Sequence, residues 1–389
     1  MIFRSILAGA VGLVAGLPLA APASAQETVK VGLIATLTGP QAASGRQKVA
    51  GARLYMAEKG NMVAGKRIEL IIKDDTGVAD VTRRHAQELI VNDKVAAIAG
   101  FSLTPLALAV APVITQAKTP AIIMTAGTSI ITERSPYFVR VSFTLPQQTV
   151  PMAEWVAKEG AKTAVSLVTD YGPGIDAQDA FKMRFEERGG KVVEQLKAPL
   201  ANPEFAPFLQ KARDLKPDVL FLFVPAPTAG ALMRQVIDRG LTTANIRVVG
   251  TGDITDDDQL NGIGDNVLGL ITSHFYSAAH GSAMNQKFVA EFKKANPGMR
   301  PNFIGVSGYD GMHAFYEALK KTNGDTNGDK LVEAMKGMTW ESPRGMMTID
   351  PQTRDVIQDV YIRKVEKKDG ELYNVEFDVV RQVKDPIHK

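Results

Sequence analysis

The chain has 389 residues, 45% of them hydrophobic, which is too long for one ordinary core and too apolar for a disordered segment. Its 45 basic residues nearly balance 42 acidic ones, for a net charge of +3, so there is no electrostatic footprint for nucleic acid or for a charged membrane surface. There is no cysteine, which excludes disulfides and thiol catalysis, and the five histidines (His85, His274, His280, His313, His388) lack metal-ligand spacing.

The first residues read as a secretory signal. Arg4 is the positive start, Ile6 to Leu19 the apolar stretch, and Ala23-Ser24-Ala25 a small-residue cleavage site, with cleavage expected after Ala25. No later run approaches the ~20 apolar residues that cross a bilayer. The expected mature chain is exported.

From Thr28 onward strands and helices alternate. Strands are expected at 28–35, 67–73, 95–99 and 121–124, with helices at 46–59, 80–92 and 104–117. A short strand at 138–141 leads into a helix from Leu145 to Glu159. The pattern then begins again, with strands at 163–168, 191–195, 218–223, 247–249 and 269–271. Helices are expected at 175–188, 204–215, 228–239, 284–295, 311–321 and 330–335. The last part, near 346–349, 361–365 and 372–377, reads as β ribbon. Apolar strands alternating with helices predict parallel sheets covered on both faces.

The stretch at 95–129 organises this pattern. One buried strand empties into Gly100-Phe101-Ser102. Pro105 sits in the first turn of the next helix, where its missing N–H costs nothing. The following strand ends in Thr125-Ala126-Gly127-Thr128-Ser129. Small hydroxylated turns at strand carboxyl ends suit a ligand, and a helix N-terminus there suits an anion; ordinary capped βα turns have the same look. Residues 218–253 repeat the design at nearly the same length. The expected architecture is therefore α/β, with two doubly wound parallel-sheet lobes facing a shared cleft.

Other motifs weigh less. Gly172-Pro173-Gly174-Ile175-Asp176-Ala177, with Glu194 on the next strand, has the form of a dinucleotide fingerprint. An exported chain meets little such cofactor, Pro173 stiffens the turn, and no hydride chemistry follows. Asp256-Asp257-Asp258 reads as a helix cap, and Asp325-x-Asn327-x-Asp329 as a loop without the glycine and glutamate of a calcium site. No cofactor is expected. Tyr171 and Tyr276 stand at strand ends and face either the cleft or the surface.

Thr38-Gly39-Pro40, the helix through Ala111-Pro112 with Thr119-Pro120-Ala121, the Tyr171-Gly172 turn, and Leu232-Met233-Arg234-Gln235 before Gly240-Leu241 resemble the leucine/isoleucine/valine-binding family of periplasmic binding proteins, receptors of ABC importers. The likeness spans nearly the whole mature chain. It implies a type I receptor whose two lobes are joined by three hinge crossings, lobe 1 being 27–144 with 274–350 and lobe 2 being 145–273 with 351–389. It implies no catalysis, and a permease and ATPase complex as partner, with the receptor monomeric and no nucleic acid bound. In the family the ligand carboxylate is held by turns that correspond here to Ser102, Leu103 and Thr104, and to Gly127, Thr128 and Ser129. The second lobe's tyrosine corresponds to Tyr171. Leu145 stands where the family has an acidic partner for the ligand's amino group. Pro225-Ala226 replace an aromatic, and Asp253 falls near the late acidic position.

A carboxylate cradle beside an apolar Leu145 points to a small carboxylate with an aromatic or apolar body, with amino acids next, because a buried ammonium without a partner is costly. The alternatives are an exported hydrolase, which needs a nucleophile and base, or a ligand-sensing regulator of the same fold.

Overall fold

The computed structural model describes residues 1–2 and 27–387. The signal stretch and cleavage site expected before Gln26, residues 1 and 2 apart, lie outside the described residues, as does His388. Among the described residues no helix is long and apolar enough to cross a membrane.

The first sheet contains β1 (Thr28–Ala35), β2 (Met62–Val63), β3 (Lys66–Asp74), β4 (Ala97–Gly100), β5 (Ala121–Ile123) and β6 (Phe138–Arg140). Around it lie α1 (Ala42–Lys59), α2 (Ala79–Val91) and α3 (Thr104–Ala117). The chain then enters a second sheet through α4 (Leu145–Lys158), β7 (Thr163–Thr169), α5 (Gly172–Glu187), β8 (Lys191–Ala198) and α6 (Ala206–Leu215). That sheet continues with β9 (Val219–Phe223), α7 (Ala226–Asp238), β10 (Arg247–Thr251), the short α8 (Leu260–Ile263) and β11 (Ile271–His274). Next, α9 (Ala283–Ala295) and α10 (Phe303–Lys321) return to pack on α1, followed by α11 (Gly328–Met335). The ribbon β12 (Thr339–Ser342), β13 (Gly345–Ile349), β14 (Val356–Lys368) and β15 (Glu371–Val383) joins the second sheet through β14 and β11.

The parallel strands lie in the order β3-β1-β4-β5-β6 in one sheet and β8-β7-β9-β10-β11 in the other. Counted along the chain, both are 2-1-3-4-5, a doubly wound order that reverses direction beside its first strand. The antiparallel partners are confined to the margins: β2 on β3, and β14 on β11. Period-two alternation puts β7 between two cores. Ala164 and Val168 join the larger apolar cluster, which runs through the first sheet, while Val165 and Leu167 join the cluster on the far face.

Buried cations tie the passages between sheets. Arg344 donates to the carbonyls of Val141 and Ser142, on the first passage, and to Gln358 on β14, while pairing with Asp310 of α10 at 2.9 Å. Arg363 of β14 donates to the carbonyl of Tyr276, just past β11. Breaking one partner of such a buried pair costs far more than the pair contributes when intact.

Several elements differ from expectation. Helix α10 begins at Phe303 rather than near Gly311, running through Gly305, Ser307 and Gly308. Glycine disfavours an isolated helix, but these glycines let α10 approach α1 backbone to backbone. A Cβ on Gly308 would meet the carbonyl of Lys48, and one on Gly51 the carbonyl of Gly305. Strand β11 starts at Ile271 instead of ending there, its bounds set by pairing with β10 and β14. Asp256 does not cap a helix with its side chain; its carboxylate accepts from Asn302 Nδ2 at 2.8 Å.

Candidate functional site

Both sheets aim the reversal point of their strand order at one small cavity, as the strand carboxyl ends of an open α/β sheet do. From the first sheet come Gln41 and Ser44 after β1, Ser102, Leu103 and Thr104 after β4, and Thr125, Ala126 and Gly127 after β5. From the second come Tyr171 and Pro173 after β7, Phe223 at the end of β9 with Pro225, Ala226 and Pro227 following it, and Asp253 after β10. Phe143 and Leu145, on the first passage between sheets, and Phe303 and Ile304, at the start of α10, complete the wall.

The first rim is polar and tightly built. Gly100 has φ +121, and a Cβ there would run into the carbonyl of Ile34. The buried Phe101 follows at φ +67, a left-handed conformation costly for an aromatic residue and the kind of strain that concentrates at functional turns. This turn presents Ser102. Helix α3 then starts at Thr104 with no side-chain cap; Pro105 has no N–H and those of Leu106 and Ala107 donate to the Leu103 carbonyl, so it is Leu103 and Thr104 that line the cavity. The hydroxyl of Thr125 is buried with no hydrogen-bond partner among the described residues. Buried polar groups are rarely left so, and this one lines the wall.

The second rim is aromatic and acidic. Tyr171 stacks on Phe223 with centroids 6.2 Å apart and planes 11° from parallel. Burial, and then the nearby Asp253, raises its phenol well above the usual tyrosine range. Asp253 is 4% exposed, and its Oδ2 accepts from Thr251 Oγ1 at 2.8 Å. Burial pushes its carboxyl up to about 6, against the opposing pull of Thr251 and Arg363.

Of the site residues expected from sequence, the structure brings together Ser102, Leu103, Thr104, Gly127, Leu145, Tyr171, Pro225, Ala226 and Asp253. It does not bring Thr128, Ser129 or Tyr276 to the wall. Thr128 Oγ1 turns back to Thr104 Oγ1 at 2.8 Å, and a Cβ on Gly172 would press against it. The Ser129 N–H donates to Asp176 Oδ2 at 2.9 Å, a contact from the first sheet's side to α5. Tyr276 is buried beside β14. Thr125, two residues before the expected Gly127–Ser129, lines the wall together with Gly127. Gln41 and Ser44 were missed although they follow a strand that ends like the others. Phe143, Phe223, Phe303 and Ile304 carried no local signal beyond being apolar, while Pro173 and Pro227 stand in strand-end turns without marking the wall. Gly127 is explained by packing, since a Cβ there would overlap Leu145 and Phe143. No cluster that could hold a metal ion occurs among the described residues.

Polar contacts across the cleft hold the rims together. Asn302, ahead of α10, donates to Asp256, and Arg300 donates through N to Asp258 Oδ1 (3.0 Å) and through Nε to the Asp257 carbonyl (2.6 Å).

Two α/β lobes with mirrored strand ends around one small, uncharged-to-acidic cavity define a solute-binding protein. Residues 28–371 match the family model described as periplasmic binding protein, and the chain belongs to that family. It is 41% identical over 374 residues to the Leu/Ile/Val-binding protein homolog 6 of Brucella abortus, covering 95% of each chain. A solute-binding protein of an ABC transporter from Rhodopseudomonas palustris BisB5, solved with 3,4-dihydroxybenzoic acid, superposes with a TM-score of 0.91 at 58% identity, covering 93% of this chain and 99% of that one. Another from R. palustris, solved with 4-hydroxybenzoate, does so with a TM-score of 0.90 at 41% identity, covering 93% and 99%. The chain is thus a solute-binding receptor of an ABC importer of the branched-chain-amino-acid type.

Proposed function

We propose that this receptor takes up hydroxylated benzoates. The ligand carboxylate lies against Ser102, Thr125 and the turn at Leu103 and Thr104. Its ring lies among Phe143, Leu145, Tyr171 and Phe223, and its hydroxyl donates to Asp253. The supporting observation is the polarity of the cavity: free donors on the first rim, and an acid on the opposite rim. The ligands held by the two R. palustris proteins agree with it.

A branched-chain amino acid is the second reading, favoured by the relatives' names. An α-ammonium sits one carbon from its carboxylate, so it would need an acid beside the cradle. Leu145, Phe143 and Ile304 stand there instead, and an ammonium left without a partner is costly.

The lobes of this reading are 27–144 with 274–350 and 145–273 with 351–389, closing over the ligand about the passages near 141–145, 274–277 and 355–359. The start of α4 at Leu145, packed on α5 and β10, supports the first boundary. The receptor works as a periplasmic monomer after cleavage behind Ala25, hands the closed form to its permease, and leaves the solute unaltered. A hydrolase would have to use Ser102 with the neighbouring Lys48 as base. Methyl 4-hydroxybenzoate incubated with the protein should therefore remain intact.

Calorimetric titration of the mature chain with 4-hydroxybenzoate, 3,4-dihydroxybenzoate, benzoate and leucine tests the ligand assignment. The expected order places the hydroxybenzoates first and leucine last. Leucine binding with no response to the aromatic acids would overturn it.

A further inference from the structure

Behind the Ser102 turn lies Lys48, on α1, with its side chain fully buried. Lysine is almost never fully buried without a partner carboxylate. Here Nζ donates to Ser102 Oγ at 3.1 Å, and no carboxylate among the described residues forms an ion pair with it. The nearest charge acting on it is Asp75, at the end of β3. That carboxylate is already engaged: Oδ1 accepts from Thr36 Oγ1 (2.6 Å) and the Gly77 N–H (3.0 Å), and Oδ2 from Thr82 Oγ1 (3.2 Å).

Ser102 Oγ also accepts, more weakly, from the Thr36 N–H at 3.5 Å. Two donors thus occupy the oxygen's two lone pairs. What remains is the hydroxyl hydrogen, and Ser102 lines the cavity. The protein has placed a positive charge behind that hydroxyl and supplied no direct counter-charge for it.

We infer that Lys48 is a specificity-determining residue, which selects an anionic over a neutral solute by charging the Ser102 hydroxyl from behind. The inference rests on the carboxylate lying at the first rim, as proposed above. A bound carboxylate then supplies the counter-charge that the fold withholds, and Ser102 relays the attraction through one hydrogen bond.

Protons follow the same coupling. Burial pushes the Lys48 ammonium down to about 7, opposed by Asp75. A bound anion pushes it back up. Ligand and proton are then taken up together above pH 7, and affinity falls as pH rises past that point. The groups around α1 leave Lys48 this role. From β3 comes Asp75; from the β4 turn, Ser102; from α10, the backbone of Gly308, with Asp310 engaged by Arg344; from α9, Lys287 and Lys294, which pair with Glu58 and Glu291. Across the cavity stands Asp253, which titrates near 6.

The test is calorimetry of the mature chain with benzoate and with benzamide, its neutral near-isostere, for the wild type, Lys48→Met and Ser102→Ala. Lys48→Met should cut the preference for benzoate over benzamide by about tenfold or more, since hydrogen bonds to charged groups are the strong ones. Benzamide affinity should change little. At pH 8, in buffers of different ionisation enthalpy, the wild type should take up part of a proton with benzoate and none with benzamide. Asp253→Asn should keep that uptake, and Ser102→Ala should weaken benzoate more than benzamide. A purely structural role for Lys48 would move both ligands equally. A Lys48→Met protein with an intact benzoate preference, or a wild type that binds benzoate without proton uptake between pH 7 and 9, overturns the inference. If Lys48→Met does not fold, the wild-type proton count decides. Wild type that binds neither benzoate nor hydroxybenzoate sinks the ligand assignment itself, and this inference with it.

Discussion

The two rims of the cavity occupy equivalent places in equivalent sheets yet have opposite chemistry. After the first strand stand Gln41 and Ser44 in one sheet, Tyr171 and Pro173 in the other. After the third stand Ser102 and Thr104 against Phe223 and Pro225, and after the fourth Thr125 and Gly127 against Asp253. The backbone plan is shared even in detail. A Cβ on Gly45 would strike the Thr36 carbonyl beyond β1, and a Cβ on Gly174 the Thr169 carbonyl at the end of β7. A fold thus sets where two strand ends meet, and side chains at those ends set which end of a solute each one takes.

Where the plan is shared, matching changes should act alike. Gly45→Ala and Gly174→Ala should each lower unfolding free energy by about 3 kcal/mol, because backbone rather than a flexible side chain must move. Denaturant unfolding reads this, and tolerance of one but not the other would break the equivalence.

Where the chemistry differs, changes should act selectively. Leu145→Asp puts a negative charge beside the carboxylate cradle. Aromatic acids should weaken by about 100-fold in calorimetry, as like charges in a water-poor site repel. Thr125→Val removes a donor from the first rim and should weaken every carboxylate by about tenfold. Asp253→Asn acts on the other rim. It should weaken 4-hydroxybenzoate by a similar factor and leave benzoate nearly unchanged; equal losses for both ligands would place the carboxylate at the wrong end.

Asp253→Asn also has a pH signature. Its carboxyl, raised to about 6 in the folded chain from 3.8, burdens the folded state with a buried anion at neutral pH. That burden is absent below the unfolded value and grows as pH rises towards 6. The variant should be more stable than wild type by about 3 kcal/mol at pH 7 and gain nothing at pH 3. Tyr171→Phe should have the smallest effect, about threefold on affinity, since stacking on Phe223 survives the change.

The α/β class, the restart of the pattern near Thr163, and the polar strand ends at Ser102 and Gly127 were all legible in the order of residues. These depend on the spacing of apolar residues and on turn chemistry, both local along the chain. Packing between distant elements settles that Thr125 rather than Thr128 lines the cavity, that Phe143 and Phe303 wall it, that α10 begins at Phe303, and that Lys48 lies sealed behind Ser102. Each depends on groups far apart in the chain: Gly308 against Lys48, Thr128 against Gly172, Nζ against a hydroxyl 54 residues on. Periodicity reports whether a residue is buried. Which neighbour buries it is set by how separate elements pack, and no local pattern carries that information.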